Sequence, residues 1–247
     1  MKAKPLAGLT VLITRPKQQA AALSALLKTL GADCVLFPTL LIKPLHNTAK
    51  IQAILNQIER YDYAVFVSAN AVMSFNASRV KIIAIGPGTA RALEKNNMRV
   101  DFMPATYNSE GLLALPILRA IKNKRIVIFC GENSKPLLKD SLIAQGAQVE
   151  EALCYRRERP MINHNQTLQL QSQTVDVIVS TSKESLQNLA ALFPKPAGTW
   201  LYHKNLVVIS QDMAALAREL GFGGHVIVAP HAGAHSIVDT LTKDVMQ

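Results

Sequence analysis

The sequence predicts an α/β protein built from two similar parallel-sheet domains. Short apolar runs, each closed by a small polar turn and followed by residues at helical spacing, recur along the chain. That is the pattern of parallel strands joined by crossover helices. The second half of the chain also repeats the order of the first, as tandem structural units do. With 247 residues, 49% of them hydrophobic, there is apolar surface enough for two cores of roughly 120 residues each.

The pattern is clearest from Tyr61 to Leu93, YDYAVFVSANAVMSFNASRVKIIAIGPGTARAL. Two apolar runs, Tyr63 to Val67 and Val80 to Ile85, end in the turns Ser68-Ala69-Asn70 and Gly86-Pro87-Gly88-Thr89, and a helical pattern follows each. Ligands of open parallel sheets bind beyond the carboxyl ends of the strands. Helix starts there carry unpaired N–H groups suited to an anion.

Taken in order, Leu9 to Thr14 reads as a buried strand, with Arg15-Pro16 turning it. Gln18 to Leu30 has apolar residues at helical spacing, Gly31 is its C-terminal stop, and Ala32 to Phe37 is a second strand. Pro38 to Leu45 is extended, with no helix directly after it. Thr48 to Ile58 is a short amphipathic helix. After the two strand–turn–helix units, whose second helix runs from Thr89 to Asn96, Met98 to Met103 reads as a strand. Asn108-Ser109-Glu110-Gly111 opens a helix through Leu118. Lys124 to Cys130 is a strand, Gly131-Glu132-Asn133-Ser134 its polar turn, and Lys135 to Ala144 a helix stopped at Gly146. Ala147 to Arg159 is long and extended. Strands follow at Val175 to Val179, Leu206 to Ile209 and His225 to Ala229, with helices at Glu184 to Phe193, Met213 to Leu220 and His235 to Thr242.

The repeat aligns Val11 to Pro38 with Ile126 to Leu153, matching Gly31-Ala32 to Gly146-Ala147. It aligns Tyr61 to Phe75 with Val175 to Leu189, matching Asp62 to Asp176 and Ser68 to Ser182. It aligns Ile83 to Asn97 with Val207 to Gly221, matching Ala90 to Ala214. The repeat alone leaves open which first segment completes which domain. If the two extended crossings pair as an antiparallel ribbon, one domain is inserted in the other and a ligand is expected between them.

Composition narrows the function. The net charge is +10, from 27 Lys and Arg against 17 Asp and Glu, which favours an anionic partner. There is no dense basic run interleaved with aromatics; the longest cluster is Arg156-Arg157-Glu158-Arg159. A multiply anionic small molecule is therefore expected rather than nucleic acid. No segment approaches the ~20 apolar residues of a membrane span, and the N-terminal apolar run is too short for a secretory signal. The three cysteines have no metal-like spacing and read as free thiols of a reducing cytoplasm. His231 and His235 are spaced as helical metal ligands, but Gly233 lies between them and no acidic or cysteine ligand joins them. There is no G-x-S-x-G elbow of a serine hydrolase.

LITRP at Leu12 to Pro16, SANAV at Ser68 to Val72, AIGPGTARAL at Ala84 to Leu93, YNSEGLLAL at Tyr107 to Leu115, LCYRRE at Leu153 to Glu158 and VISQDMAALARELG at Val208 to Gly221 together resemble the uroporphyrinogen-III synthase family. The ordered set, spread along nearly the whole chain, carries the resemblance; no single motif does. It implies two flavodoxin-like domains joined by a two-stranded β-ribbon: residues 1–38 with 161–247 in one, residues 46–153 in the other, and linkers at 39–45 and 154–160. It implies a linear tetrapyrrole substrate, hydroxymethylbilane, closed with inversion of its fourth ring and loss of water, with no cofactor or metal. A monomer is expected, in transient contact with the hydroxymethylbilane synthase that supplies the substrate. Eight substrate carboxylates suit a chain of charge +10. The other reading of the same chain is a non-catalytic two-domain binder of an anionic ligand.

The resemblance makes Tyr155 the group that helps the hydroxyl leave; its other reading is a tyrosine packed in the ribbon. Ser68, Ala69, Asn70, Gly86 and Thr89 form the turns expected to hold substrate carboxylates, with Ser182 and Ser210 their partners in the repeat. Ser, Asn and Thr at these places read equally as helix N-caps, and so does Ser109. Thr14 and Arg15 end the first strand, where Arg15 can grip a carboxylate through two N–H groups or serve a structural ion pair. Arg156, Arg157 and Arg159 can raise the local positive potential, but they read first as a solvated linker face, as charge runs usually do.

Overall fold

The computed structural model describes residues 4–45, 48–73, 79–196 and 198–244. The chain runs β1 (Thr10–Ile13), α1 (Lys17–Thr29), β2 (Asp33–Leu36), β3 (Leu41–Pro44), α2 (Ala49–Asn56), β4 (Tyr63–Phe66), β5 (Lys81–Ala84) and α3 (Pro87–Lys95). It continues α4 (Ser109–Leu113), β6 (Arg125–Gly131), α5 (Leu137–Ala144), β7 (Gln148–Glu158), α6 (His164–Gln171), β8 (Val177–Val179) and α7 (Lys183–Leu192). Last come α8 (Thr199–Tyr202), β9 (Asn205–Val208), α9 (Gln211–Glu219), β10 (Val226–Val228) and α10 (Ala234–Asp244).

Two compact units result: Met1–Leu41 with Glu158–Gln247, and Ile42–Arg157. Each has its own five-stranded sheet. The first has the order β2-β1-β8-β9-β10, and every paired strand is parallel. The second has the order β5-β4-β6-β7-β3, with β4, β5, β6 and β7 parallel. These pairings give each repeat segment its partner: β1 lies beside β8, and β6 beside β4. The stretches read as linkers hold β3 and the end of β7, which are neighbours in the second sheet.

Strands covered on both faces must be apolar throughout. β1, β4 and β8 are buried almost end to end. In the first unit one core packs Val11, Ile13 and Leu23 against Ile237, and the other packs Leu12 and Ile178 against Leu186 and Leu189. In the second unit Phe66 and Phe129 anchor one face, and Val65 and Ile128 the other. The repeat is also written in hydrogen bonds. Asp62, just before β4, accepts from the Arg125 amide at 2.9 Å, and Asp176, just before β8, accepts from the Thr10 amide at 2.8 Å. Each carboxylate thereby satisfies an amide at the start of the neighbouring strand. Gly31 and Gly146 end α1 and α5 with φ of +95° and +88°, the left-handed stop that glycine adopts without a Cβ penalty.

Several expectations are corrected. Met98 to Met103 is not a strand. It forms a single isolated bridge to the sheet, between Phe102 and Ile83, because Pro104 follows and the Asp101 carboxylate takes the Ile82 amide at 2.8 Å. The helix from Ser109 stops at Leu113, and Pro116 opens a separate 3-10 turn, since proline cannot donate to the preceding turn. The turn at Ser68 leads into a 3-10 helix of three residues, Ala69–Ala71, rather than directly into an α-helix. Residues 74–78, where that helix was expected to run, lie outside the described residues. α3 begins at Pro87, not Thr89, because proline with its fixed φ is favoured in a first helical turn. α6 and α8 were not anticipated. α6 buries only Leu170, so it carries little apolar periodicity; its signal is the capping box of Asn163 and Gln166.

Candidate functional site

The carboxyl ends of β4, β5, β6 and β7 open into a cavity of about 250 Å³ within the second unit. Val67 and Ile85, directly after β4 and β5, form part of its wall, and Gly131 at the end of β6 forms another part. Tyr155 and Ser109 also line it. This is the edge at which parallel sheets bind ligands, next to the switch point between β4 and β6.

Tyr155 is 4% exposed and packs with Phe66, Phe129 and Cys154. Its carbonyl accepts the Glu132 amide at 2.9 Å. The Arg157 guanidinium lies 5.9 Å from the ring centroid, within the range of a cation–π contact. Among the described residues the Tyr155 hydroxyl has no hydrogen-bond partner. An un-ionised phenol can donate, so this donor is available in the cavity wall.

Lys135, Lys139 and Arg157 line the cavity together with Glu132 and Glu151. Glu151 is neutralised by Lys139 at 2.7 Å and accepts from the Ser134 hydroxyl at 3.2 Å. The hydrogen bond and the charge of Glu151 hold the Lys139 ammonium above its usual range. Burial pushes the Cys130 thiol up and the Cys154 thiol to about 12, so neither is a thiolate nucleophile near neutral pH.

The other expected residues fall into three groups. Thr14, Gly86 and Thr89 are buried. The Thr14 hydroxyl donates to the Val179 carbonyl at 3.0 Å and accepts from Ser185 at 3.1 Å. Thr89 sits inside the first turn of α3 at 4% exposure. A Cβ on Gly86 would lie 3.1 Å from the Tyr107 side chain, so that glycine answers to packing. Ser68, Ser182 and Ser210 are N-caps, accepting from the amides of Asn70 at 3.1 Å, Ser185 at 3.1 Å and Met213 at 3.2 Å. Ala69 is exposed and Asn70 half-buried beside the Ser68 cap. Ser109 is not a cap, because Asn108 takes that place by accepting the Gly111 amide at 2.7 Å. The Ser109 hydroxyl is thereby left to the cavity.

Arg15 stands apart. Its guanidinium donates to the Ala232 carbonyl at 3.0 Å, and its Nε–H is buried without a partner among the described residues. Burial holds its pKa below the ordinary arginine value. His231 accepts the Gly233 amide through Nδ1 at 3.1 Å and precedes α10, so it does not share a helical face with His235.

Sequence reasoning did not nominate Gly131, Ser134, Lys135 or Lys139, and it read Arg157 first as part of a solvated linker face. The polar turn Gly131 to Ser134 was legible, but nothing in one dimension says that α5 and β7 bring their charged residues to the same wall.

Fold and cavity define a parallel-sheet α/β protein with a cavity at strand carboxyl ends that Lys135, Lys139 and Arg157 help to line. Residues 21–239 match the family model described as uroporphyrinogen-III synthase HemD. The chain is 32% identical to uroporphyrinogen-III synthase of Escherichia coli, over 87% of this chain and 92% of that protein. It is 30% identical to the enzyme of Salmonella typhimurium over the same shares. The chain belongs to the uroporphyrinogen-III synthase family. Solved structures of that enzyme from Helicobacter pylori (TM-score 0.61, 13% identity, 94% of this chain and 97% of that one) and of a mutant from Thermus thermophilus (TM-score 0.58, 16% identity, the same shares) have a similar fold.

Proposed function

We propose that this chain cyclises hydroxymethylbilane to uroporphyrinogen III, with inversion of ring D and loss of water, in tetrapyrrole biosynthesis. Family membership gives the reaction. The observation that carries it into this molecule is the Tyr155 hydroxyl, without a hydrogen-bond partner among the described residues, in a cavity that Lys135 and Lys139 also line. The flavodoxin-like reading rests on strand order: β1, β2, β8, β9 and β10 lie in the order 2-1-3-4-5 of that fold, and in the second unit β4, β5, β6 and β7 repeat 2-1-3-4 with β3 at the far edge. β3 and the end of β7 serve as the connecting ribbon.

The substrate supplies the electrons. A pyrrole nitrogen lone pair expels the terminal hydroxyl, and Tyr155 passes its phenolic proton to the departing oxygen, which leaves as water; the proton lost at the end of the sequence restores the phenol. The substituted carbon of ring D then attacks the resulting electrophile to form a spiro intermediate. That intermediate fragments and recloses inverted, and a proton is lost. No protein nucleophile is required. Positioning supplies most of the rate, with the phenol adding acid assistance.

Carboxylates of the substrate are taken by Arg15, by Ser109, and by the amides of the capped turns at Ser68 with Asn70, Ser182 and Ser210. Arg15→Ala should raise KM for hydroxymethylbilane about 10-fold with little change in kcat, as loss of a charge-assisted hydrogen bond does. Initial rates over a range of substrate concentrations check this; an unchanged KM removes Arg15 from the site. The reaction itself is tested by generating hydroxymethylbilane in situ, adding the protein, oxidising, and separating the type I and type III isomers. Dominant type III is expected. Type I alone, at the rate without protein, would favour a non-catalytic binder.

A further inference from the structure

We infer that Gly131, with an irregularity in the strand beside it, positions the Tyr155 phenol; this rests on reading Tyr155 as the group that assists hydroxide departure. β6 and β7 pair residue for residue from Arg125 with Gln148 to Cys130 with Leu153, and then Gly131 pairs with Tyr155. β7 thus carries one extra residue, Cys154, at its carboxyl end. Side chains on a strand alternate between faces, so regular pairing would turn Tyr155 to the same face as Leu153. The extra residue reverses this, as a bulge re-aims a side chain. Tyr155 instead packs on the face of Phe129 and Ala152, while Leu153 packs on the other.

On that face the next position of β6 is Gly131. A Cβ there would lie 2.6 Å from Tyr155 Cζ, 2.7 Å from Cε2 and 3.0 Å from the hydroxyl oxygen. The Gly131 backbone is not left-handed, so its φ does not demand glycine; the ring does. Any side chain at position 131 must push the phenol away from its place in the cavity wall. Gly131 does not itself react, and its effect passes wholly through Tyr155.

The experiment is a double-mutant cycle on the full chain, with kcat, KM and isomer ratio measured for Gly131→Ala, Tyr155→Phe and the double variant. Gly131→Ala should lower kcat at least about 10-fold, as misplacement of an acid does, with KM within about two-fold. The double variant should be no slower than Tyr155→Phe alone, because both changes remove one contribution. Gly223→Ala, whose Cβ would meet only the Tyr202 carbonyl at 4.0 Å, should behave as wild type. Losses that multiply in the double variant, or an unchanged kcat in Gly131→Ala, overturn the inference. Where Gly131→Ala folds poorly, thermal unfolding decides the contact. The alanine should lower Tm in the tyrosine background but not with Tyr155→Leu, where the ring is gone; equal losses in both overturn it. If Tyr155→Phe leaves kcat untouched, the acid reading falls and takes the catalytic part of the inference with it. The Tm comparison then still tests the packing of ring on glycine independently.

Discussion

Tyr155→Phe is expected to lower kcat about 10²-fold, the low end for loss of one positioned acid, while binding of the cyclic product stays nearly unchanged. The low end applies because the substrate's own nitrogen drives the hydroxyl out, so the phenol assists a departure that is already favourable. The ring stays in place in the variant: its packing with Phe66 and Phe129 and its contact with Gly131 involve ring carbons. Only the donor is removed, and the hydroxyl has no partner among the described residues that its loss would strand. Stability should therefore be preserved. Single-turnover rates together with product titration separate the two effects, and a variant that turns over like wild type would falsify the assignment of the phenol as acid.

Phe129→Ala should cost about 3–5 kcal/mol of stability, the range for truncating a fully buried aromatic. Phe129 is on β6 and Phe66 on β4, neighbouring strands at the centre of the second sheet. Both rings are 0% exposed, with centroids 4.4 Å apart and planes within 4° of parallel. Truncation leaves a void beneath Phe66 and removes a pair interaction of about 0.5–1.5 kcal/mol beyond the area term. Tyr155 belongs to the same core, so activity should fall along with stability. Urea unfolding followed by far-UV circular dichroism reads the loss as a lower midpoint. With two compact units, the transition need not be two-state, and the shift should be confined to one phase. A loss below about 1 kcal/mol would mean that the neighbouring strands refill the space, contrary to the close packing of such cores.

The sheet elements were legible because each buried strand is an apolar run bounded by a turn, and both signals are local. LTVLIT, YAVFV and VVI leave little alternative once both sheet faces must be covered. The pairing of Asp62 with Asp176 and of Gly31 with Gly146 was also legible. A strand-start amide and a left-handed helix end demand the same residue types in both units. Met98 to Met103 misled because an apolar run is equally compatible with an extended segment that meets the sheet at one bridge. Thr14 was ambiguous for a different reason. A threonine at a strand end reads the same whether its hydroxyl faces a ligand or, as here, Val179 and Ser185.

The α/β class, the two-fold repeat, the turns at the strand ends and the family are all readable in one dimension, because each rests on residue types at fixed separations along the chain. Folding in three dimensions sorts the polar residues that are spent on the protein from those that face the cavity. It turned Ser182 and Ser210 into caps, enclosed Thr14 and Thr89, and brought Ser109, Lys135, Lys139 and Tyr155 to one wall. It also made a glycine and a single extra strand residue decide where the tyrosine ring lies. A hydroxyl has the same chemistry wherever it stands in the chain. What it can do depends on which partner comes within about 3 Å, and that is settled only when strands distant in sequence pack side by side.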